Sequence, residues 1–115
     1  MHELSLADGI LRLVQDAAAR EHFQRVATLR LEAGALAGVE VQALRFALAA
    51  IVPGTCLEAA TIEIEQPPGQ AWCARCACEV RIESRADPCP LCGGYPVRVT
   101  GGRDLRVLDL VVLED

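Results

Sequence analysis

The sequence predicts an α+β protein in which two helices cover a small mixed three-stranded sheet, with a second, cysteine-rich module inserted before the last strand. Three observations support this prediction. Two segments carry apolar residues at helical spacing, three segments alternate apolar and polar residues as half-buried strands do, and five of the six cysteines lie between residues 70 and 102. A chain of 115 residues is long enough for about one domain-sized core.

The first helix is predicted over residues 5–21. Its apolar side chains recur in steps of three and four, and they are Leu6, Ile10, Leu13, Val14, Ala17 and Ala18. Ser5 followed by Asp8 resembles a capping box, which places the start of the helix at Ser5. His22 falls at the end of this helix, where a partly positive imidazole suits the helix dipole.

The remaining elements follow from the same two patterns. Strands are predicted over residues 25–33, 60–65 and 105–113, and a second helix over residues 41–52 ends at Pro53-Gly54. Because the third strand follows the inserted module, we expect it to return to the sheet that the first two strands begin. The main domain is then discontinuous, comprising residues 1–69 and 103–115, and the module covers residues 70–102.

Charge and composition exclude several classes of protein. The chain has 11 Arg, no Lys and 16 acidic residues, and its net charge of -5 disfavours duplex DNA or an anionic membrane as a partner. Aromatic residues make up 3% of the chain, too few for a nucleic-acid surface of stacked rings. No apolar run approaches the roughly 18 residues of a membrane span, and the start lacks the positive region of a signal peptide, so we predict a cytoplasmic protein. In that compartment, six cysteines indicate metal or redox chemistry.

The inserted module contains two CxxC pairs. Cys73 and Cys76 form the first, Cys89 and Cys92 form the second, and 12 residues separate the pairs. Four soft thiolates that converge as a tetrahedron favour zinc, and they leave no open coordination position. We therefore predict a zinc-ribbon-like module with a structural Zn2+ site, which depends on the metal because it has few apolar side chains.

Other interpretations of the cysteines remain open at this stage. The stretch Cys89-Pro90-Leu91-Cys92-Gly93 also resembles a rubredoxin knuckle, which holds iron. A thioredoxin-like redox role would need a strand-helix context that the sequence lacks. Zinc ribbons often bind nucleic acid, but four arginines against three acidic residues become a net charge of -1 once four thiolates and Zn2+ are included. Cys56 and Cys78 are interpreted as small apolar side chains without an assigned role.

The N-terminus is a candidate for a second metal site. Met1 is expected to be retained, because the residue after it is bulky. The Met1 amine, the deprotonated amide of His2 and a His2 ring nitrogen can form two fused chelate rings, an arrangement that suits Ni(II) or Cu(II). Glu3 could add an oxygen or act on the site from next to it. The alternative is that His2 is only a solvated terminal residue.

Three sets of residues together resemble the HypA/HybF family of nickel-insertion proteins, over nearly the whole chain. They are the start Met1-His2-Glu3-Leu4-Ser5, the segment from Gly34 to Glu40 that leads into Leu44-Arg45-Phe46, and the two cysteine knuckles.

The resemblance implies a cytoplasmic protein that is not an enzyme and that delivers nickel, with the GTPase HypB, to the large-subunit precursor of [NiFe]-hydrogenase. It implies His2 as the nickel ligand, with Glu3 and the Met1 amine as neighbours, and the four knuckle cysteines as zinc ligands. Some members have an Asp before the second helix that approaches the nickel, and Glu40 takes that place here. The sequence leaves homodimer formation open. The competing hypothesis is a zinc-ribbon module that binds protein or nucleic acid and has no nickel chemistry.

Overall fold

A computed structural model describes residues 2–95 and 97–113 of the chain. The elements within these residues are α1 (His2–Glu21), β1 (Val26–Ala33), α2 (Val41–Ile51), β2 (Thr61–Glu65), β3 (Gly69–Cys73), β4 (Cys78–Ile82), β5 (Val97–Gly101) and β6 (Leu105–Val112). Met1, Glu114 and Asp115 at the ends of the predicted main domain, and Pro96 in the predicted module, lie outside the described residues. The predicted class, two helices with a small mixed sheet and an inserted cysteine module, is confirmed.

The strands form two three-stranded sheets. The first has the order β2-β1-β6, so the last strand returns beside the first as the sequence predicts. The second has the order β4-β3-β5, and its central strand β3 pairs antiparallel with both neighbours. The sequence did not predict these three short strands: the segments of β4 and β5 do alternate apolar and polar residues, but over only five residues each, between cysteine turns.

The chain divides into two compact units. The first consists of Met1–Leu31, Glu40–Ile64 and Val107–Asp115, and the second of Glu32–Val39 and Glu65–Arg106. The second unit thus contains all five cysteines of the predicted module and also the loop between β1 and α2.

Helix α1 starts earlier than the sequence predicts, and its buried stripe shares Ile10 and Val14 with the predicted one. It begins at His2, so Ser5 lies inside the helix and the predicted capping box at Ser5 and Asp8 is wrong. Asp8 instead forms an ion pair with Arg12 one turn later, at 3.0 Å. The buried residues of α1 are Ala7, Ile10, Leu11 and Val14, whereas Leu13 is 55% exposed. The sequence allowed two overlapping apolar stripes, and packing within the first unit selected the one at positions 7, 10, 11 and 14.

The end of α1 is a Schellman motif with histidine in the left-handed position. His22 has φ 60°, and the backbone N–H of Phe23 donates to the carbonyl of Ala18 at 3.2 Å. Glycine is the usual residue at this position, although histidine is among the residues that tolerate positive φ best. His22 therefore lies at the helix end, as predicted, and helps to terminate it.

The core of the first unit is built from aliphatic side chains of both helices and the central strand. The fully buried leucines are Leu29 and Leu31 of β1, Leu44 and Leu48 of α2, and Leu57 in the turns that follow α2. Each such burial stabilises the fold by about 1.5–3 kcal/mol before entropy is counted. Phe46 of α2 lies outside this core and is 79% exposed.

Two glycines allow backbone segments of the second unit to approach closely. The N–H groups of Gly34 and Leu36 donate to the carbonyls of Asp104 and Gly102, at 2.9 and 2.7 Å. A Cβ on Gly34 would overlap the backbone of Gly102, and a Cβ on Gly102 would overlap the carbonyl of Pro68. Gly102 also has φ +70°, a conformation that favours glycine. Only glycine fits at these two positions. The contacts hold together the loop after β1, the start of β3 and the end of β5.

Candidate metal centres

The first cysteine pair lies on the hairpin between β3 and β4. Cys73 is the last residue of β3, Cys76 lies in the turn over residues 74–77, and Ala77 has φ 53° before β4 starts at Cys78. This turn reverses the chain while it keeps both sulfurs on the same side.

The second cysteine pair lies in the connection between β4 and β5. The N–H of Cys89 donates to the carbonyl of Gly94, and the N–H of Gly93 donates to the carbonyl of Cys89. Gly93 has φ 72°, so both pairs are followed directly by a residue in the left-handed conformation. The two knuckles thus share a backbone geometry, with alanine in one where the other has glycine.

The four sulfurs converge on one point. All four Sγ atoms lie within 4.8 Å of one another, and the distances are 3.7 Å for Cys73 to Cys92 and 3.9 Å for Cys76 to Cys89. A regular tetrahedron with Zn–S bonds of about 2.3 Å has edges of about 3.8 Å. The cluster therefore has the size and the donor atoms of a four-thiolate zinc site. No other group of three or more His, Cys, Asp or Glu residues within 2–95 and 97–113 comes together in this way.

Backbone amides and neighbouring thiols set the electrostatics of the cluster. The backbone N–H groups of Cys92 and Leu91 donate to the Cys89 sulfur and lower its pKa to about 7. Hydrogen bonding with the Cys92 thiol, together with desolvation, raises the pKa of Cys76 to about 12. Four neighbouring thiols cannot all ionise without a cation, so metal binding must displace protons, and metal affinity rises with pH.

The cluster is closed on the side of the module core. Cys73 and Cys89 are 2% and 1% exposed, and they pack with Leu36, Ala71, Val80 and Ile82. Cys92 is exposed, and Cys76 is half-buried. Cys78, outside the cluster, is half-buried beside the same core, and Cys56 is half-buried in the first unit.

The second candidate site lies at the start of α1. The His2 side chain is 64% exposed, and its Nδ1 lies 3.6 Å from Oε2 of Glu3, whose side chain is only 19% exposed. The same Oε2 accepts a hydrogen bond from the backbone N–H of Glu40, at 3.2 Å. This hydrogen bond lowers the pKa of the Glu3 carboxyl below its ordinary value. Glu3 thus bridges the histidine ring and the backbone that precedes α2. Met1, whose amine belongs to the predicted site, lies outside the described residues.

The Glu40 side chain caps α2. Its Oε2 accepts from the N–H of Ala43 at 2.6 Å, and its Oε1 accepts from the N–H of Gln42 at 3.4 Å. The structure therefore brings the Glu40 backbone to Glu3, while the Glu40 carboxylate oxygens are hydrogen-bonded to the helix. Sequence reasoning missed the contact with Glu3 because no spacing rule indicates that residues 37 apart meet, and it missed the local cap because Glu is not among the preferred N-cap residues.

An open apolar groove adjoins the N-terminal site. It has a volume of about 360 Å³ and is lined by Glu3, Leu4, Ala43, Phe46, Ala47 and Ala50. Exposed Leu4 and Phe46 form its walls, so the surface beside His2 is apolar as well as acidic.

Fold and sites together define a class: a small α+β protein with a four-thiol metal site in a two-knuckle module and a histidine at the start of its first helix. The family model described as "Hydrogenase/urease nickel incorporation, metallochaperone, hypA" matches residues 1–112. The chain belongs to this HypA family, which confirms the resemblance found in the sequence.

Curated relatives match over nearly their whole length. The Hydrogenase maturation factor HypA of Cupriavidus necator is 62% identical over 112 residues, which cover 97% of this chain and 94% of that protein. The protein of the same name from Polaromonas naphthalenivorans is 56% identical over 115 residues and covers all of both chains. The chain is thus similar in sequence and in length to hydrogenase maturation factors.

Solved structures support the fold. The solution structure of the Ni metallochaperone HypA from Helicobacter pylori aligns with a TM-score of 0.68 at 16% identity and covers 98% of both chains. A second solution structure, of a HypA protein, aligns with a TM-score of 0.72 at 18% identity over 98% of this chain and 97% of that one. In the described part of this chain, neither helix has the length and apolar character needed to cross a membrane.

Proposed function

We propose that this chain is a nickel metallochaperone for hydrogenase maturation, which binds Ni(II) at the start of α1 and carries a structural zinc ion in its cysteine module. Residues 1–69 and 103–115 form the nickel-binding domain in this proposal, and residues 70–102 form the zinc-binding module. The observation that carries the proposal is the contact of Glu3 with both His2 and the backbone of Glu40, in a chain that belongs to the HypA family.

Cys73, Cys76, Cys89 and Cys92 are the proposed zinc ligands. Support comes from the sulfur distances, which match the edges of a zinc-thiolate tetrahedron, and from the burial of Cys73 and Cys89. When bound, zinc supplies cross-links between the two knuckles of a module whose own apolar core is small.

His2 and the Met1 amine are the proposed nickel ligands. His2 is the first residue of α1, and the first N–H groups of a helix have no partner within it. The His2 amide is therefore not required by the helix and can lose its proton to a metal. The amine, this amide and the imidazole give three adjacent nitrogen donors, which suits Ni(II).

Glu3 is proposed to position the site. Its carboxylate lies beside the His2 ring and is itself held by the Glu40 N–H, so it can orient the imidazole from a fixed point. Glu40 belongs to the site through this N–H. His2 is then a metal ligand whose ring is supported by the Glu3 carboxylate, and that carboxylate is in turn held by a hydrogen bond. The His2 side chain itself is mostly exposed to solvent.

Exposure of the nickel donors suits delivery. A chaperone must release its cargo, and a solvent-exposed set of nitrogen donors lets an incoming ligand replace them one at a time. In the module, by contrast, two of the four thiols, those of Cys73 and Cys89, are almost fully buried, so an acceptor cannot replace all four ligands one at a time. The proposed acceptor is the hydrogenase large-subunit precursor, with the GTPase HypB as a working partner in the cytoplasm, and the chain itself catalyses no reaction. Homodimer formation is compatible with this role.

A nickel titration of two histidine variants tests the proposal. We expect His2→Ala to lose nickel binding while its zinc content and helicity stay unchanged. The matched control is His22→Asn, which removes the other histidine and keeps a residue that tolerates positive φ. Retention of one nickel per chain in His2→Ala, or its loss in His22→Asn, would contradict the proposed site.

A further inference from the structure

The cysteine module contains a fifth thiol, that of Cys78, next to the four-cysteine cluster. Cys78 is the first residue of β4 and lies directly across from Cys73, the last residue of β3, in the antiparallel register. Residues opposite one another in such a pair project from the same face of the sheet. The thiol of Cys78 is therefore on the same face as a proposed zinc ligand.

The spacing of this pair is compatible with a disulfide. Opposed residues in antiparallel strands have Cα atoms about 4.5–5.5 Å apart, within the range of about 4.4–6.8 Å that disulfides require. A bond between Cys73 and Cys78 thus needs rotation of the side chains and little movement of the backbone. Cys56, the other cysteine outside the cluster, lies in the first unit, whose sequence contains no second cysteine with which it could pair.

Cys73 and Cys78 differ in how far solvent reaches them. Cys73 is 2% exposed and belongs to the module core, whereas Cys78 is half-buried and packs against the edge of that core. Cys78 is not among the four thiols that converge. A small oxidant can therefore reach a thiol that the metal does not hold, directly beside one that it does.

We propose that Cys78 is an oxidation site of the zinc module, at which hydrogen peroxide links Cys78 to Cys73 and so removes Cys73 from the zinc. The inference rests on the proposed zinc site. In the first step, the Cys78 sulfur attacks peroxide, the O–O bond breaks, and Cys78 sulfenic acid and one water form. In the second, the Cys73 thiolate attacks the Cys78 sulfur, the S–O bond breaks, and hydroxide leaves as the disulfide forms. Peroxide is the two-electron oxidant and the two thiols are the reductants.

The disulfide leaves zinc with three protein ligands. Because Cys73 also belongs to the core of a module with few apolar residues, loss of its bond to zinc loosens the link between the hairpin and the second knuckle. Zinc release is the consequence that can be measured.

The test uses the full-length, zinc-loaded protein and dilute hydrogen peroxide. A colorimetric chelator follows zinc release, and mass spectrometry of digested peptides identifies the disulfide. We expect a bond between Cys73 and Cys78 in the wild type, and zinc release that is slower by at least about tenfold in Cys78→Ser. Cys56→Ser, which removes the other spare thiol, should release zinc at the wild-type rate.

The possible outcomes separate this inference from the zinc site itself. A disulfide between two of the four clustered cysteines, with Cys78 still a thiol, would overturn the inference and leave the zinc site standing. Release from Cys78→Ser at the wild-type rate would do the same. A wild-type protein that holds no zinc would overturn both. The peptide map of the wild type decides the matter even if Cys78→Ser fails to fold.

Discussion

The two metal regions differ in how their donors are assembled and how far solvent reaches them. In the cysteine module, donors from two separate knuckles meet within 4.8 Å, and two of the four are almost fully buried. At the start of α1, the proposed donors are adjacent in sequence, and the His2 side chain is 64% exposed. A metal that stabilises a fold needs distant donors brought together, because only then does binding cross-link the chain. A metal that is passed on needs donors that an acceptor can reach.

Removal of one buried thiolate should have the largest effect. Cys89→Ser is expected to lose the zinc and the ordered structure of the module, because zinc contributes an apparent binding energy of about 10–16 kcal/mol in small zinc domains. Zinc analysis and circular dichroism measure both changes. Cys56→Ser is the control, since Cys56 lies in the other unit. Stoichiometric zinc in purified Cys89→Ser would show that the ligands are elsewhere.

The second largest effect is expected from acidification, which should release nickel from the N-terminal site before zinc leaves the cysteine module. Between about pH 7.5 and 5.5, nickel affinity should fall by at least about 100-fold, because protons compete with Ni(II) for the amine, amide and imidazole nitrogens. Glu3 stays ionised in this range, since its pKa lies below its ordinary value. Calorimetric nickel titrations at the two pH values measure the change. Zinc affinity also falls as thiols take up protons, but it starts from an apparent binding energy of about 10–16 kcal/mol, so zinc content should remain at one per chain. Equal nickel affinity at both values would contradict nitrogen ligation.

Alanine substitutions of Gly102 and Gly9 compare the stability of the protein at a glycine in a tight backbone contact and at one in an open helical position. Gly102→Ala should destabilise the protein by about 2–4 kcal/mol, because Gly102 has φ +70° and its new Cβ would overlap the Pro68 carbonyl. Gly9→Ala, in α1 with no atom within 4 Å of its Cβ position, should stabilise it by up to about 1 kcal/mol. Chemical denaturation measures both. Unchanged or increased stability of Gly102→Ala would contradict the close approach at Gly102.

Substitutions of Glu40 test whether its carboxylate caps α2 or binds nickel, and their expected effect on stability is smaller. Glu40→Ala should cost about 0.5–2 kcal/mol, because α2 loses its cap, whereas Glu40→Ser keeps a capping oxygen and should lose little. Both variants keep the backbone N–H that holds Glu3, so nickel affinity in Glu40→Ser should match the wild type. A loss of nickel affinity in Glu40→Ser with its stability intact would instead make the Glu40 carboxylate a ligand.

Sequence periodicity predicted the elements whose residues face one core. Helix α2 is observed over Val41–Ile51 and was predicted over residues 41–52, and the three strands of the first sheet lie within a residue of their predicted bounds. Periodicity was insufficient in the cysteine module, where the strands are only five residues long and the cysteine turns interrupt the pattern, although the module has a small apolar core. It also misplaced the start of α1, because Ser5 has the local pattern of a cap but the helix already begins at His2.

The CxxC spacing was sufficient to predict the four clustered cysteines, because each CxxC turn brings its own two sulfurs together locally. The contacts of Glu3 with Glu40, and the position of Cys78 opposite Cys73, depend on tertiary structure and strand register, which no spacing rule provides. The sequence therefore indicated the donors of both candidate sites and Glu3 and Glu40 as their neighbours, but not the hydrogen bond by which the Glu40 backbone holds Glu3.

Blocking the terminal amine tests the separation of the two metal regions most directly. Nickel and zinc per chain should be measured for the protein with its native Met1 terminus and for one with Gly-Ser left before Met1. We expect one zinc in both proteins, one nickel in the native protein, and nickel affinity lower by at least about 100-fold in the extended one, since it lacks the amine that completes the chelate. Equal nickel affinity in the two proteins would contradict a nickel site at the N-terminus.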